Sequence, residues 1–135
     1  MAERSCPCPC GSGRGYALCC GRFIDQGVLP ETAEQLMRSR YTAFTQANEP
    51  YLLASWHAST RPTSLELDQD EPRKWLGLRI DRVEAGGIGD AHGVVCFVAR
   101  WRVGGGKAQR LVECSRFVKE QDRWFYVDGE IGSEQ

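Results

Sequence analysis

The chain has 135 residues and a formal net charge of −1. That length is one ordinary domain with enough sequence to bury a core, and near-balanced charge gives no support to a broad attraction for nucleic acid or a membrane surface. No apolar run approaches the roughly 20 residues of a membrane span and the opening residues lack the apolar segment of a secretory leader, so the expected setting is the cytoplasm, where thiols stay reduced and disulfides are rare.

The first element is "CPCPCGSGRGYALCCGRF", residues 6 to 23, which places five of the seven cysteines within fifteen positions. An odd total excludes a complete disulfide framework, and a bond between the adjacent Cys19 and Cys20 would be strained. Metal ligation suits the pattern better, because Zn²⁺ takes four thiolates in a tetrahedron. Cys8 and Cys10 supply two on a tight turn, and Cys19 and Cys20 supply two more. Cys6 is the surplus residue and can stand in for either Cys8 or Cys10. Gly11 and Gly13 permit the dihedrals of a metal knuckle. Ser12 is positioned to cap a short helix over Tyr16–Cys20, with Gly21 as its stop. Four thiolates on Zn²⁺ leave a charge of about −2, which Arg14 and Arg22 are close enough in sequence to offset. The competing reading is a free-thiol redox patch.

"CPCGSGRGYALCCG" resembles the SEC-C motif, the zinc-binding module at the C-terminus of the SecA translocation ATPase. The shared features are C-P-C-G-S-G, a basic residue, an aromatic residue two positions on, and a Cys pair followed by Gly. Only Gly15 departs from the usual polar residue. The resemblance implies Cys8, Cys10, Cys19 and Cys20 as the zinc ligands, and a knuckle that docks a protein or ribosomal partner.

After the segment "FIDQGVLPE", Thr32 and Gln35 form a capping-box pattern. Ala33, Leu36, Met37, Phe44 and Ala47 then recur at helical spacing. Arg40 falls on the same stripe. It is either a snorkelling surface residue or a buried cation that must find a carboxylate, with Glu113 and Asp128 the candidates. Asn48 as cap and Pro50 in the first turn predict a short helix reaching about Trp56. "HASTRP" reads as a polar turn. "DEPRKWLG" repeats the design, with Asp70 as cap and Gly77 as stop.

From Leu78 the pattern changes to Val, Ile and aromatics broken by Gly clusters, as in "LRIDRVEAGG", "GVVCFVARWRV", "AQRLVECSRFVKE" and "RWFYVDGEI". Helices followed by antiparallel strands predict an α+β fold. Cys96 and Cys114 sit in these runs as small buried hydrophobes, the four tryptophans read as core, and His92 reads as a solvated turn residue. A two-residue turn at Gln121 and Asp122 pairs Lys119 with Trp124, Phe117 with Tyr126 and Ser115 with Asp128. Pleating then puts Glu113, Ser115, Tyr126 and Asp128 on one mixed polar and aromatic face, as a ligand pocket is lined. Arg40, Trp56, His57 and Arg61 are the candidates to converge there. His57 is either a proton carrier or a hydrogen-bonded tie between "HASTRP" and the sheet.

This element order resembles the nuclear transport factor 2-like fold, a curved sheet wrapped on helices into a cone. With "CPCGSG", "TAEQLMRSRYTAF", "YLLASWHASTRP", "FVARW" and "RFVKEQDRWFYVDG" it resembles the YchJ-like family of small bacterial proteins. The resemblance implies a zinc knuckle over 1–22, a linker over 23–31 and a cone-shaped domain over 32–135. It implies no reaction. Two functions follow as expectations: an adaptor whose knuckle docks a partner while the cone holds a small ligand or acts as scaffold, or an enzyme using Arg40, His57, Tyr126 or Asp128 for acid–base work. A knuckle too short for its own core should owe its order to metal, so chelation should disorder residues 1–22 and spare the cone.

Overall fold

The structure, a computed structural model, describes residues 7–65 and 73–131. A 3₁₀ turn (Tyr16–Leu18) leads into α1 (Cys20–Ile24), α2 (Ala33–Thr45) and α3 (Glu49–Ala54), followed by β1 (Arg73–Ala85), β2 (His92–Val103), β3 (Gln109–Glu120) and β4 (Arg123–Ile131). The strands form one antiparallel sheet in the order β1-β2-β3-β4. Among the described residues no helix is long and apolar enough to cross a membrane.

The caps of α2 and α3 are those the sequence signals. Thr32 Oγ1 accepts from the Gln35 amide at 3.1 Å, and Gln35 Oε1 in turn accepts from the Glu31 amide at 2.7 Å. At α3, Asn48 Oδ1 accepts from the Tyr51 amide at 3.1 Å. The helix ends at Ala54, and Ser55 to His57 instead lie along β4 as a short parallel bridge, with the His57 amide donating to the Tyr126 carbonyl at 2.7 Å and the Tyr126 amide to the Ser55 carbonyl at 2.9 Å.

The helix expected over "DEPRKWLG" does not form. Asp70 lies outside the described residues, and Arg73 to Gly77 are the first part of β1, paired with Val103 to Arg100 of β2. A helix that short cannot repay its nucleation cost, whereas Trp75 gains a cross-strand partner in Trp101, with ring centroids 5.9 Å apart. A register shift between Trp75 and Gly77 carries the strand past the irregularity.

The inner sheet face packs on α2. Leu36, Met37 and Tyr41 of α2 meet Val95, Phe97, Phe117 and Trp124. Trp124 is 1% exposed and anchors the start of α2 by donating from Nε1 to the Glu31 carbonyl at 3.1 Å. On the outer face Cys96 and Cys114 stand directly opposite each other in the β2–β3 register and are joined by a disulfide. The reading of them as two separate buried hydrophobes is corrected accordingly. Pattern alone does not reveal that two strand cysteines sit in one cross-strand pair. His92 opens β2 as an exposed residue rather than lying in the turn before it.

Candidate functional site

Two places in the fold gather chemistry-bearing side chains. The first is the N-terminal knuckle. Its loop is closed by the Cys8 amide on the Arg14 carbonyl (2.9 Å) and the Gly11 amide on the Cys8 carbonyl (3.1 Å). Gly11 and Gly13 hold φ of 80° and 88°, which explains glycine at both positions. The expected helix over Tyr16–Cys20 is in fact two pieces, the 3₁₀ turn and α1, with Cys19 between them at φ −127°. Gly21 therefore lies inside α1 rather than ending a helix. It is glycine because a Cβ there would come within 2.8 Å of the Tyr16 carbonyl oxygen and 2.9 Å of its ring. Ser12 caps no helix. Its Oγ accepts from the Arg14 amide at 3.2 Å and lies 3.1 Å from Cys19 Sγ.

The sulfurs of Cys8, Cys10, Cys19 and Cys20 all lie within 4.8 Å of one another, and all four residues are buried. Cys6 lies outside the described residues. The titration of the four thiols is unequal. Hydrogen bonding from Cys20 pulls the Cys10 thiol down to about 4, while the same bond pushes Cys20 up and burial pushes Cys19 up. This is the behaviour of one thiolate stabilised by neighbouring thiols. Four thiolates at that spacing require a cation among them, so the donor set is one that could hold a metal ion.

The residues around the sulfurs differ from those the sequence suggested. Arg14 is exposed, and Arg22 donates from Nε to the Cys19 carbonyl (3.1 Å) and stacks on Phe23 (4.6 Å). A cation close to sulfur is Arg38 of α2. Its Nη1 is 2.8 Å from the Cys10 carbonyl and 3.9 Å from Cys10 Sγ. Thr42, one turn later, places Oγ1 3.7 Å from Cys8 Sγ. The i,i+4 spacing of Arg38 and Thr42 was the available signal, though nothing in it says which side of α2 faces the knuckle.

The second place is the cavity between α2, Trp56 in the segment after α3, and the inner sheet face, with a volume of about 170 Å³. Of the eight pocket candidates, Arg40, Trp56, Glu113, Ser115 and Tyr126 line it. Arg40 is 3% exposed. Its Nη1 donates to the Leu52 carbonyl at 2.8 Å and to Ser55 Oγ at 2.7 Å, and its guanidinium lies 4.4 Å from the Tyr126 ring centre and 5.1 Å from that of Trp56. The arginine is buried, but its expected carboxylate partner is replaced by a carbonyl, a hydroxyl and two aromatic faces. Desolvation lowers its pKa to about 10, and Glu113 is the smallest of the influences opposing that shift. Glu113 Oε2 instead accepts from the Ser115 hydroxyl (2.8 Å) and the Tyr126 hydroxyl (3.4 Å). Burial first, then Glu113, pushes the Tyr126 phenol up to about 12, so it stays a donor.

Three candidates lie elsewhere. Asp128 was expected opposite Ser115. A register shift after the Phe117–Tyr126 pair sets it opposite Arg116 on the outer face, where Arg116 Nε donates to its carboxylate at 2.6 Å. His57 faces the surface, with Nδ1 2.8 Å from Ser59 Oγ and Nε2 2.9 Å from the Glu120 carboxylate. With its amide on Tyr126 and Thr60 Oγ1 donating to the Val127 carbonyl, it ties its loop to the sheet. Arg61 is exposed and takes no part in the cavity lining.

Comparison with known proteins matches residues 32–129 to the family "YchJ, middle NTF2-like domain" and residues 4–22 to the SEC-C motif. A UPF0225 protein of Chromobacterium violaceum is 55% identical over 124 residues, covering 90% of each chain. One from Bordetella pertussis is 49% identical over 126 residues, covering 92% of each. The solution structure of a SEC-C motif containing protein from Rhodopseudomonas palustris superposes with a TM-score of 0.81 at 32% identity, over 96% of this chain and 100% of that one. A crystal structure of a SEC-C motif containing protein from Psychrobacter arcticus shares the fold at 22% identity, with a TM-score of 0.70 over 98% and 85% of the two chains.

Proposed function

This chain belongs to the YchJ-like family, and on that premise we propose that it is a zinc-stabilised docking protein, whose knuckle presents a fixed surface to a protein partner. The observation that carries the reading is the set of four buried cysteine sulfurs within 4.8 Å of one another. A tetrahedron of Zn–S bonds of about 2.3 Å has edges of about 3.8 Å, and the Cys10–Cys19 sulfur separation is 3.6 Å. Soft thiolates in that arrangement select zinc over hard cations such as magnesium or calcium. Four protein ligands leave no open position for substrate, so zinc here would supply structural order and not Lewis-acid chemistry.

The docking role is supported by what the knuckle shows to solvent. Leu18, next to the ligand residue Cys19, is 69% exposed on a turn whose ends are pinned by hydrogen bonds. A single exposed leucine is ordinary by itself; held in a fixed place beside the sulfur cluster, it is available to an apolar socket on a partner. The acid–base alternative is not carried forward, because His57 and Asp128 are engaged in surface pairs away from the cavity.

Elemental analysis tests the metal. One zinc per chain is expected, falling below about one-tenth in Cys19→Ser and unchanged in Cys6→Ser; full zinc in Cys19→Ser would sink the assignment. Docking is tested separately with Leu18→Asp, which should keep its zinc and its melting temperature yet lose the proteins that co-purify with the native chain. An unchanged set of co-purifying proteins would remove the knuckle from the interface.

A further inference from the structure

The cone cavity contains a buried cation and an acid that are not ion-paired, a feature that the docking role does not use. Arg40 brings a full positive charge to a cavity whose other lining residues, Ser115 and Glu113 apart, are apolar or aromatic. Among the described residues no carboxylate oxygen lies within ion-pair distance of it. Burying an arginine this way is costly, and proteins normally offset the cost with a paired acid. Here the guanidinium is held in place by hydrogen bonds, and Glu113 offsets its charge only weakly and without an ion pair. Both acceptors on its own side, the Leu52 carbonyl and Ser55 hydroxyl, engage one terminal nitrogen, Nη1. The planar group rests against Tyr126 and Trp56, which orient it and supply only partial compensation. The acid lining the cavity, Glu113, is turned to the sheet hydroxyls of Ser115 and Tyr126.

We propose that this cavity binds a small aromatic carboxylate, the ligand's carboxylate pairing with Arg40 and its ring lying between the aromatic walls. Three features fix the chemistry. A planar guanidinium presents parallel N–H groups suited to a carboxylate. The apolar walls reject a fully hydrated anion such as inorganic phosphate and reward an apolar body. The volume, about 170 Å³, is close to the roughly 150 Å³ of a protein cavity that takes one benzene ring. Entry is from the rim, where Phe44, Trp56, Trp75 and Leu111 are half-buried rather than sealed. The arginine is ordered before the ligand arrives, so little side-chain entropy is lost on binding.

The test uses the full-length, metal-loaded protein, with benzoate, phenylacetate and 4-hydroxybenzoate as probes and the corresponding amides as neutral twins of the same shape. Binding is read by chemical-shift changes and calorimetry. At least one acid should bind saturably and at least tenfold more tightly than its amide. Arg40→Met should abolish that preference. Ala99→Leu fills the cavity from β2 while keeping Arg40 in the chain, and should block acid and amide alike while leaving the melting transition cooperative. Inorganic phosphate should not compete. No saturable binding by any of the three acids, no acid that binds more tightly than its amide, a preference for the acid that persists in Arg40→Met, or acid binding that survives Ala99→Leu would each overturn the proposal. Zinc content is measured in every sample, so failure here is distinguishable from failure of the knuckle.

Discussion

At the scale of single residues, Arg40 combines two opposed contributions to stability. Its side chain fills space between α2, α3 and β4 and satisfies the Leu52 carbonyl and Ser55 hydroxyl. Its charge is desolvated, which lowers its own pKa to about 10. The two contributions separate under different substitutions. Arg40→Ala leaves a void and takes one donor from the Leu52 carbonyl and the Ser55 hydroxyl, which keep the contacts of Ser55 Oγ with the Tyr51 carbonyl at 2.8 Å and the Leu52 carbonyl at 3.2 Å. The void dominates, and the change is expected to cost about 2–4 kcal/mol in denaturant unfolding. Arg40→Met gives up the same two hydrogen bonds but fills the void and removes the buried charge, so its cost should be less than half that of Arg40→Ala. The exposed Arg14→Ala is the control and should stay within about 0.5 kcal/mol. A methionine as damaging as alanine would mean that the hydrogen bonds alone decide the site. An alanine as mild as the control would mean that the guanidinium is solvated.

At the scale of elements, the β3–β4 pair decides which acid faces the cavity. The pairing follows simple alternation from the Gln121–Asp122 turn to Phe117–Tyr126, then one extra residue shifts Asp128 outward and brings Gly129 opposite Ser115. Gly129 is the seat for Glu113. A Cβ at that position would collide with the Glu113 carboxylate and come within 2.7 Å of its Cδ, so any side chain there expels the acid from the Ser115 and Tyr126 hydroxyls. Gly129→Ala should therefore destabilise by about 1–3 kcal/mol, the cost of leaving buried polar groups unpaired. It should cost markedly less in a Glu113→Ala background, because the collision is then absent. Equal costs in the two backgrounds would show that the backbone at 129, and not the acid, requires glycine. The same hairpin shows what sequence makes legible. Capping residues mark the starts of α2 and α3, and Val, Ile and aromatic runs mark the strands, because those signals are local. The cysteines that gather in the knuckle are legible because a motif fixes both residue type and spacing. The shift near Val127 has no residue signature, so a pleat continued from the turn carries Asp128 to the wrong face. "DEPRKWLG" fails for a related reason: its cap-and-stop residues are helical in isolation, and pairing with β2 overrides them. Arg38 escapes notice because its partner sulfur lies 28 positions away in sequence.

At the scale of the whole molecule, the knuckle and the cone share one interior. Cys8, Cys10, Cys19 and Cys20 belong to the same buried cluster as Leu36, Met37 and Tyr41 of α2 and Phe97, Phe117 and Trp124 of the sheet. Arg38 and Thr42 of α2 reach the Cys10 and Cys8 sulfurs, and α1 crosses from the motif into the segment expected as linker. This packing changes the consequence foreseen for chelation. If the knuckle were an appendage, metal removal would disorder residues 1–22 and leave the sheet untouched. With the sulfurs inside the common core, loss of the proposed ion would leave crowded buried thiols that must repel, protonate or move apart, and would uncover the apolar surface packed against them. Chelation should thus lower the melting midpoint of the sheet signal by roughly 5–10 °C, which corresponds to about 2 kcal/mol at this chain length. Amide exchange should quicken in α2 as well as in residues 7–24. Near-ultraviolet dichroism of the tryptophans, the buried Trp124 among them, provides a second probe of the cone. A sheet transition that stays within about 1 °C of the metal-loaded protein, with faster exchange confined to the knuckle, would show that the two parts unfold separately despite their shared packing.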